Sequence, residues 1–175
     1  MPVLCRRLGR VRGLAALEVA AGLSITASLL VIATPLFAAR FRASRFAEAV
    51  EGLERLGVAC VAHGEGRTGA AALPPPAALT PAAPPRGAPA ADPEELWAAE
   101  PWAALGFRPA PEGVPHAYAF AVDVTTHGEG GRFVARAHGD LDGDGVLSTF
   151  ELRGGAPPGT SLALDPGLYV EAEVE

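Results

Sequence analysis

The sequence contains no lysine, and all 14 of its basic residues are arginine. Four of these arginines lie within the first 13 residues, which contain no acidic residue. The other 162 residues carry 10 arginines against 20 acidic residues, a formal charge of −10. Because phosphate binding needs clustered cations, this balance argues against nucleic acid as a partner. It favours a soluble acidic surface or the binding of cations.

Cysteine is also scarce, since the chain has only Cys5 and Cys60. Cys5 precedes the arginines and does not end an apolar stretch, so it does not resemble a lipid-attachment cysteine. If a leader containing Cys5 is removed, Cys60 has no partner for an internal disulfide.

The motifs of common enzyme classes are absent from the sequence. We find no nucleophile motif, no phosphate-binding loop and no pair of carboxylates in a defined pocket. The four histidines are scattered without metal-ligand spacing, and they are His63, His116, His127 and His138. We therefore expect them at surface or strand positions, and we expect no enzymatic activity.

One long apolar run stands near the N-terminus. The 21 residues from Val19 to Ala39 carry no charge, which matches the roughly 20 residues of a membrane-spanning helix. The core of a secretory signal peptide is shorter, at about 7–15 residues. The upstream arginines predict a cytoplasmic N-terminus. Glu18 lies at the start of this run. Its presence indicates a function, because a carboxylate in a lipid-facing helix raises the free energy of membrane insertion by about 2.5–3.5 kcal/mol.

The helical pattern continues past the apolar run. Apolar residues recur at spacings of three and four through Phe46, Val50, Leu53, and Leu56 or Gly57. This periodicity predicts an amphipathic continuation. We expect one helix over residues 14–63, with a membrane span over 14–39 and an amphipathic part over 40–63. His63 and Gly64 form a plausible stop, and Pro35 should kink or locally unwind the helix.

Residues 12–18, RGLAALE, resemble the processing site of type IV pilins and type II secretion pseudopilins. That family has a short basic leader ending in Gly, cleavage before an apolar residue, and Glu at the fifth mature position. Proline is common at the twenty-second. If Leu14 is the first mature residue, Glu18 is the fifth and Pro35 the twenty-second. The chain departs from the family's usual residues at Leu14 and at the two alanines that follow it.

The resemblance implies a function and a fold. Residues 1–13 would be a leader that prepilin peptidase removes between Gly13 and Leu14. Glu18 would attract the new N-terminal amine of a neighbouring subunit, and so set the register of a filament of pilin subunits. The precursor would sit in the inner membrane, and the filament would be periplasmic or extracellular. The implied fold is α+β and pilin-like, in which a long N-terminal helix with a protruding apolar half packs on a small antiparallel sheet.

The rest of the chain divides into a linker and a head. Residues 64–92 are Ala, Gly or Pro at 21 of 29 positions, which predicts a semi-rigid loop. Residues 93–175 should form a β-rich head. Asp92 is expected to cap a short helix, and an apolar plug should follow it, formed by Trp97, Trp102, Leu105 and Phe107.

Alternating apolar and polar residues predict three strands in the head, over 118–125, 132–138 and 168–175. The THGEGG sequence should be the turn between the first two. The amphipathic part of the long helix is the obvious cover for one face of this sheet.

One segment of the head has the residue pattern of a metal-binding loop. Residues 140–151, DLDGDGVLSTFE, fit the twelve-residue calcium loop position by position. The expected Ca²⁺ ligands are Asp140, Asp142, Asp144, the carbonyl of Val146, Ser148 and Glu151. The flanking sequence does not predict the two helices of an EF-hand. The alternative is a polar Asp-Gly turn that binds no metal.

Two other classes of protein remain open for the whole chain. The first is a single-span membrane protein with an extracytoplasmic calcium-binding head that never polymerises, in which Glu18 reaches the cytoplasmic interface. The second is an ordinary secreted protein, which would be cleaved near Ala38 and Ala39.

Overall fold

The first element is a single long helix, α1, Ala16–His63. The computed structural model describes residues 16–171, and for Ala16 and residues 35–45 it describes the backbone alone. The helix predicted over residues 14–63 is confirmed within this range, including its stop at His63, where Gly64 N–H donates to the Val61 carbonyl. Gly13 and Leu14 lie outside the described residues.

The N-terminal part of α1 is apolar and exposed. Leu17–Thr34 is long and apolar enough to cross a membrane, and none of that stretch is buried within the structure. The hydroxyls of Thr26, Ser28 and Thr34 each donate to the carbonyl four residues earlier. These bonds keep the polar groups satisfied in an apolar setting.

α1 continues through Pro35 without a break, so the predicted local unwinding does not occur there. Proline removes one backbone donor and therefore one bond, to the carbonyl four residues earlier. The helical residues on both sides keep the rest of the bonded ladder. The side chain of Pro35 lies outside the described residues.

The chain divides into two structural units, which meet within α1 at Arg40 and Phe41. The second unit contains an antiparallel sheet. Its strands are β1 Ala77–Thr80, β2 Tyr118–His127, β3 Gly130–Gly139, β4 Ser148–Ala156, β5 Ala163–Leu164 and β6 Tyr169–Glu171. The order is β1-β2-β3-β4-β5, and β6 also pairs with β4. The coarse α+β layout, an apolar N-terminal helix and an antiparallel sheet, is confirmed.

The predicted strands and turn at the centre of the sheet are present. β2 and β3 pair along their whole length, from Tyr118 opposite Gly139 to His127 opposite Gly130. The connecting turn consists of Gly128 and Glu129, and the positive φ of Gly128 (60°) suits glycine. The predicted third strand corresponds to β6, and its residues beyond 171 lie outside the described residues.

β4 is a central strand that the sequence analysis missed. Its Gly154 and Gly155 resemble loop residues, yet both pair with β3. A Cβ atom at Gly154 would lie 2.5 Å from Cε1 of Phe133. Glycine is therefore required here by the close approach of an aromatic ring, which is a known use of glycine within strands.

The predicted loop over residues 64–92 needs correction, because part of this segment has regular structure. It contains a short 3-10 helix, Gly69–Ala72, and strand β1. β1 pairs with β2 on one side only and is the edge of the sheet. An edge strand needs fewer backbone donors than a central one, and for that reason it tolerates prolines next to it.

The core of the second unit lies between α1 and the sheet. Within the predicted apolar stripe, Leu53 and Leu56 are fully buried, whereas Phe46 and Val50 are half-buried. The Phe46 ring contacts the Phe150 ring edge-on at 5.0 Å. The fully buried contacts on both sides of this interface are Ala49, Leu53, Leu56 and Cys60 on α1, and Tyr118, Phe120, Phe133 and Phe150 on the sheet.

Two residues of α1, Gly52 and Cys60, show that the helix packs closely against the sheet. A Cβ atom at Gly52 would lie 2.6 Å from Cζ of Phe120, so the absence of a side chain lets the helix approach the sheet. Burial raises the pKa of the Cys60 thiol to about 12. Cys60 therefore behaves as a small apolar core residue.

A second group of buried side chains confirms the predicted apolar plug. Two short helices, α2 Glu94–Ala98 and α3 Trp102–Leu105, carry it, and its residues are Trp97, Trp102, Leu105 and Phe107. The predicted cap is wrong, since the residue that precedes α2 is Pro93 and no side chain caps the helix. The Asp92 carboxylate instead accepts a hydrogen bond from Trp97 Nε1 at 2.9 Å.

Replacing Leu53 by Ala should destabilise the second unit by about 2–5 kcal/mol, because it leaves a cavity in a fully buried site. The measurement is denaturant unfolding of the full chain in detergent, followed by tryptophan fluorescence. Val58→Ala is the matched control, since Val58 lies on the same helix and is 65% exposed. Equal losses in the two variants would contradict this account of the core.

Candidate metal centre

The connection between β3 and β4 is a tight acidic loop. It begins at Asp140, directly after β3, and β4 begins at Ser148. The Asp140 Oδ1 atom accepts hydrogen bonds from the N–H groups of Gly143 (2.9 Å) and Gly145 (3.4 Å). Both glycines have positive φ, 84° and 94°. Such backbone is strained for other residues, which explains the glycines of the motif.

The other two aspartates of the loop repeat this arrangement. Asp142 Oδ1 accepts from Asp144 N–H at 3.1 Å, and Asp144 Oδ1 accepts from Val146 N–H at 2.7 Å. As a result, one carboxylate oxygen of each of Asp140, Asp142 and Asp144 lies within 4.8 Å of the others. Asp140 is 1% exposed, whereas the other two are exposed to solvent.

Three of the predicted ligands are thus brought together, and their chemistry fits a hard divalent cation. Ca²⁺ takes six to eight oxygen ligands, of which these carboxylates would supply three. Their mutual repulsion favours a positive charge between them. Among the described residues, this is the only group of three or more such side chains close enough to hold a metal ion.

The structure does not bring Ser148 and Glu151 to this group. The Ser148 hydroxyl is fully buried and donates to the Gly139 carbonyl at 3.1 Å. Glu151 is three residues along β4, and extended backbone rises about 3.3 Å per residue, which carries it about 10 Å from the start of the strand. Because side chains alternate along a strand, Ser148 and Glu151 also face opposite sides of the sheet.

Glu151 is already engaged by two arginines. Its Oε1 accepts from Arg136 Nε at 2.7 Å, and its Oε2 accepts from Arg153 Nη2 at 2.6 Å. Burial alone would raise the pKa of Glu151, but the hydrogen bonds and positive charge of these arginines outweigh it and lower the pKa. Arg136 also pairs with Asp123 on β2, so the ion pairs link three neighbouring strands.

The acidic loop also contacts the Pro-rich segment, which the sequence analysis did not foresee. Gly87 N–H donates to the Asp140 carbonyl at 2.8 Å, and Arg86 Nε lies 3.8 Å from Asp140 Oδ2. Arg86 is 75% exposed, so water weakens its attraction to Asp140. No pattern in the sequence signals this contact, because it joins residues more than 50 positions apart.

The histidines occupy varied positions. His138 lies on β3, and its Nδ1 is 2.9 Å from Thr149 Oγ1. Burial lowers its pKa, and the charge of Arg136 lowers it further. His116 differs from the prediction of a surface or strand site, since it lies two residues before β2 and is 3% exposed.

Comparisons with known proteins returned nothing: no family model, no curated protein and no solved structure matches this chain.

Replacing Glu151 by Gln should destabilise the fold at neutral pH, since it removes the carboxylate that Arg136 and Arg153 share, while Arg136 keeps Asp123. The folded-state pKa of Glu151 is lowered, so its stabilisation is present above the pKa of the unfolded state and is lost as the pH falls through the folded-state value. The difference between variant and wild type should therefore shrink in acid. The measurement is the thermal midpoint at several pH values, with the exposed Glu129→Gln as control. A difference that is independent of pH would contradict the assigned ion pairs.

Proposed function

We propose that this chain is a subunit of a filament related to type IV pili or type II secretion pseudopili. The observation that carries the proposal is the position of Glu18. It lies in the first turn of α1, at the front of an exposed apolar stretch. The same helix, without a break, supplies the buried residues that cover the sheet of the second unit.

The placement of Glu18 supports assembly over simple anchoring. An anchor needs only apolar residues, and a carboxylate opposes insertion by about 2.5–3.5 kcal/mol. A positively charged N-terminal amine on a neighbouring subunit would offset this cost, since opposite charges attract strongly in an apolar environment. The offsets of Gly13 and Pro35 from Glu18 match those of the pilin family, and this match also supports assembly into a filament.

In this proposal the chain begins as a membrane precursor. Prepilin peptidase removes residues 1–13 and exposes the amine of Leu14. The apolar part of α1 first resides in the inner membrane and then packs with the same part of other subunits. The head remains on the periplasmic or extracellular side. No step of this function requires an enzymatic activity of the chain itself.

The competing proposal is a single-span membrane protein that does not polymerise. The same exposed apolar stretch, Leu17–Thr34, is sufficient for such an anchor. In that protein Glu18 lies near the cytoplasmic interface, and the chain does not assemble with other subunits. The two proposals differ in what happens when Glu18 is removed.

Replacing Glu18 by Ala should leave processing intact and abolish assembly, because only the attraction between subunits is lost. The protein should be recovered from its native membrane and its intact mass measured. A mass for a chain that begins at Leu14 is expected in wild type and variant alike, with one added methyl group because the new amine is N-methylated in the pilin family. Filaments sheared from cells should contain the wild type and lack the variant.

Leu23→Ala is the matched control for the Glu18 variant, since Leu23 is a 66% exposed apolar residue of the same helix. It should assemble as the wild type does. A chain that begins at Met1, or a Glu18 variant that assembles normally, would reject the filament and favour the single-span anchor.

We also propose that the head binds Ca²⁺ at its acidic loop. Asp140, Asp142 and Asp144 would hold the ion through their carboxylates, with the Val146 carbonyl as a further ligand. Ser148 and Glu151, which the sequence pattern also nominated, are engaged elsewhere in the described structure. The bound ion would supply positive charge to a loop that carries three carboxylates, and so stabilise the connection between β3 and β4.

Calcium should raise the thermal midpoint of the full chain, because a ligand that binds only the folded state stabilises it. The variant Asp142→Asn/Asp144→Asn should lose most of this increase, since it removes two of the three charges. The increase is measured by titrating CaCl₂ at constant ionic strength. Glu112→Gln, which removes an exposed charge outside the loop, should respond as the wild type does. An unchanged wild-type midpoint would reject the calcium site.

A further inference from the structure

A small pocket opens beside the two short helices α2 and α3. Its volume is about 160 Å³, and an apolar cavity of about 150 Å³ can hold a benzene ring. Three rings that are only 2–5% exposed line it, those of Trp97, Trp102 and Phe107. Two charged side chains, Glu94 and Arg108, line it as well. The pocket therefore combines room for one aromatic ring with one charge of each sign.

The three buried rings offer the pocket an apolar surface. The ring centroids of Trp97 and Trp102 are 5.1 Å apart, and that of Phe107 lies 6.1 Å from the first and 5.6 Å from the second. Both indole N–H groups are engaged elsewhere, since Trp97 Nε1 donates to Asp92 and Trp102 Nε1 donates to Thr80 Oγ1. The indoles therefore leave no free donor for a ligand. A fourth ring would add the edge-on or offset contacts that aromatic pairs prefer.

Arg108 has an unused hydrogen-bond donor. Its Nε atom is buried, and no acceptor among the described residues lies within hydrogen-bond distance of it. A buried donor without a partner is unfavourable, so an acceptor that reached the guanidinium would be bound favourably. A carboxylate matches the fork of N–H groups that arginine presents. The Nε edge has to turn towards the pocket for this, and no hydrogen bond at Nε opposes the turn.

Glu94 adds the opposite charge at the edge of the same pocket. It is the first residue of α2 and is exposed. A ligand with only a carboxylate would be attracted by Arg108 and repelled by Glu94, and a ligand with only an ammonium group would meet the reverse. A ligand that carries both groups can place each beside the opposite charge.

We propose that this pocket binds a free aromatic amino acid. The ring of the ligand packs on Trp97, Trp102 and Phe107, its carboxylate accepts from Arg108, and its ammonium group faces Glu94. The volume holds one ring, so the charged groups of the ligand remain at the mouth, beside water. The site lies outside both the acidic loop and the exposed apolar stretch of α1, and it goes beyond the proposed filament and its calcium site.

L-phenylalanine is the probe for this site. Trp97 and Trp102 are the only tryptophans in the sequence, so the intrinsic fluorescence of the chain reports on this pocket alone. The full chain should be held in lipid nanodiscs, because detergent monomers compete for apolar pockets. We expect a saturable change with a dissociation constant of about 1 mM, which suits a ligand of this size. A wild type without a saturable change would overturn the proposal.

A variant that fills the pocket tests where the probe binds. Ala103 is an exposed residue of α3 that lines the pocket, and Leu is a good helix former. Ala103→Leu should abolish the saturable change. Ala104→Leu is the matched control, since Ala104 is the next residue of α3, is also exposed and does not line the pocket. Equal binding by these two variants would overturn the proposal.

Two analogues of the probe test the role of each charge, since hydrocinnamate lacks the ammonium group and phenethylamine lacks the carboxylate. Arg108→Gln should weaken L-phenylalanine and hydrocinnamate about tenfold, and it should not weaken phenethylamine. Glu94→Gln should weaken L-phenylalanine and phenethylamine about threefold, because exposed charge pairs are weaker, and it should not weaken hydrocinnamate. A variant that only loosened the pocket would weaken all three probes alike, and that outcome would reject the assigned ligand class.

Discussion

The packing of one helical stripe against one sheet face is the interaction on which the rest of the second unit depends. Leu53 and Leu56 are fully buried against aromatic residues of β2, β3 and β4. Burying large apolar side chains stabilises each by about 1.5–3 kcal/mol. Gly52 permits the close approach, since any side chain there would meet Phe120. With α1 covering one face, the ion pairs of Arg136 and Glu151 remain on the other face, partly in water.

The same sheet decides where charged groups can meet. The acidic loop is held at both ends by paired strands, so its aspartates are presented together at one end of β3 and β4. Glu151 is committed to the arginines because it stands opposite Arg136 across the β3–β4 ladder. One helix, α1, also has two kinds of surface, an exposed apolar stretch over Leu17–Thr34 and a buried stripe between Ala49 and Cys60.

Periodic patterns of apolar residues predicted the long helix and the two central strands β2 and β3 correctly. The spacing of apolar residues predicted α1 to within a residue at its C-terminal end. Alternation predicted β2 and β3, because side chains of a half-buried strand alternate between core and solvent. β4 was missed because its two glycines resemble a loop, whereas in the fold the Phe133 ring of the neighbouring strand β3 occupies the space beside Gly154. The Pro-rich segment likewise conceals β1, whose partner β2 is about 40 residues away.

The sequence by itself determined the elements and the chemistry available: a long apolar helix with Glu18 at its front, an amphipathic continuation, alternating strands and a run of spaced aspartates. These are local properties, set by periodicity and by residue type. Only the tertiary structure decided which groups meet. In the fold, Asp140, Asp142 and Asp144 lie close together, whereas Glu151 pairs with two arginines. His116 is buried and lies within hydrogen-bond distance of Asp92. Such pairings depend on strand register and on contacts between distant segments, which no local pattern encodes.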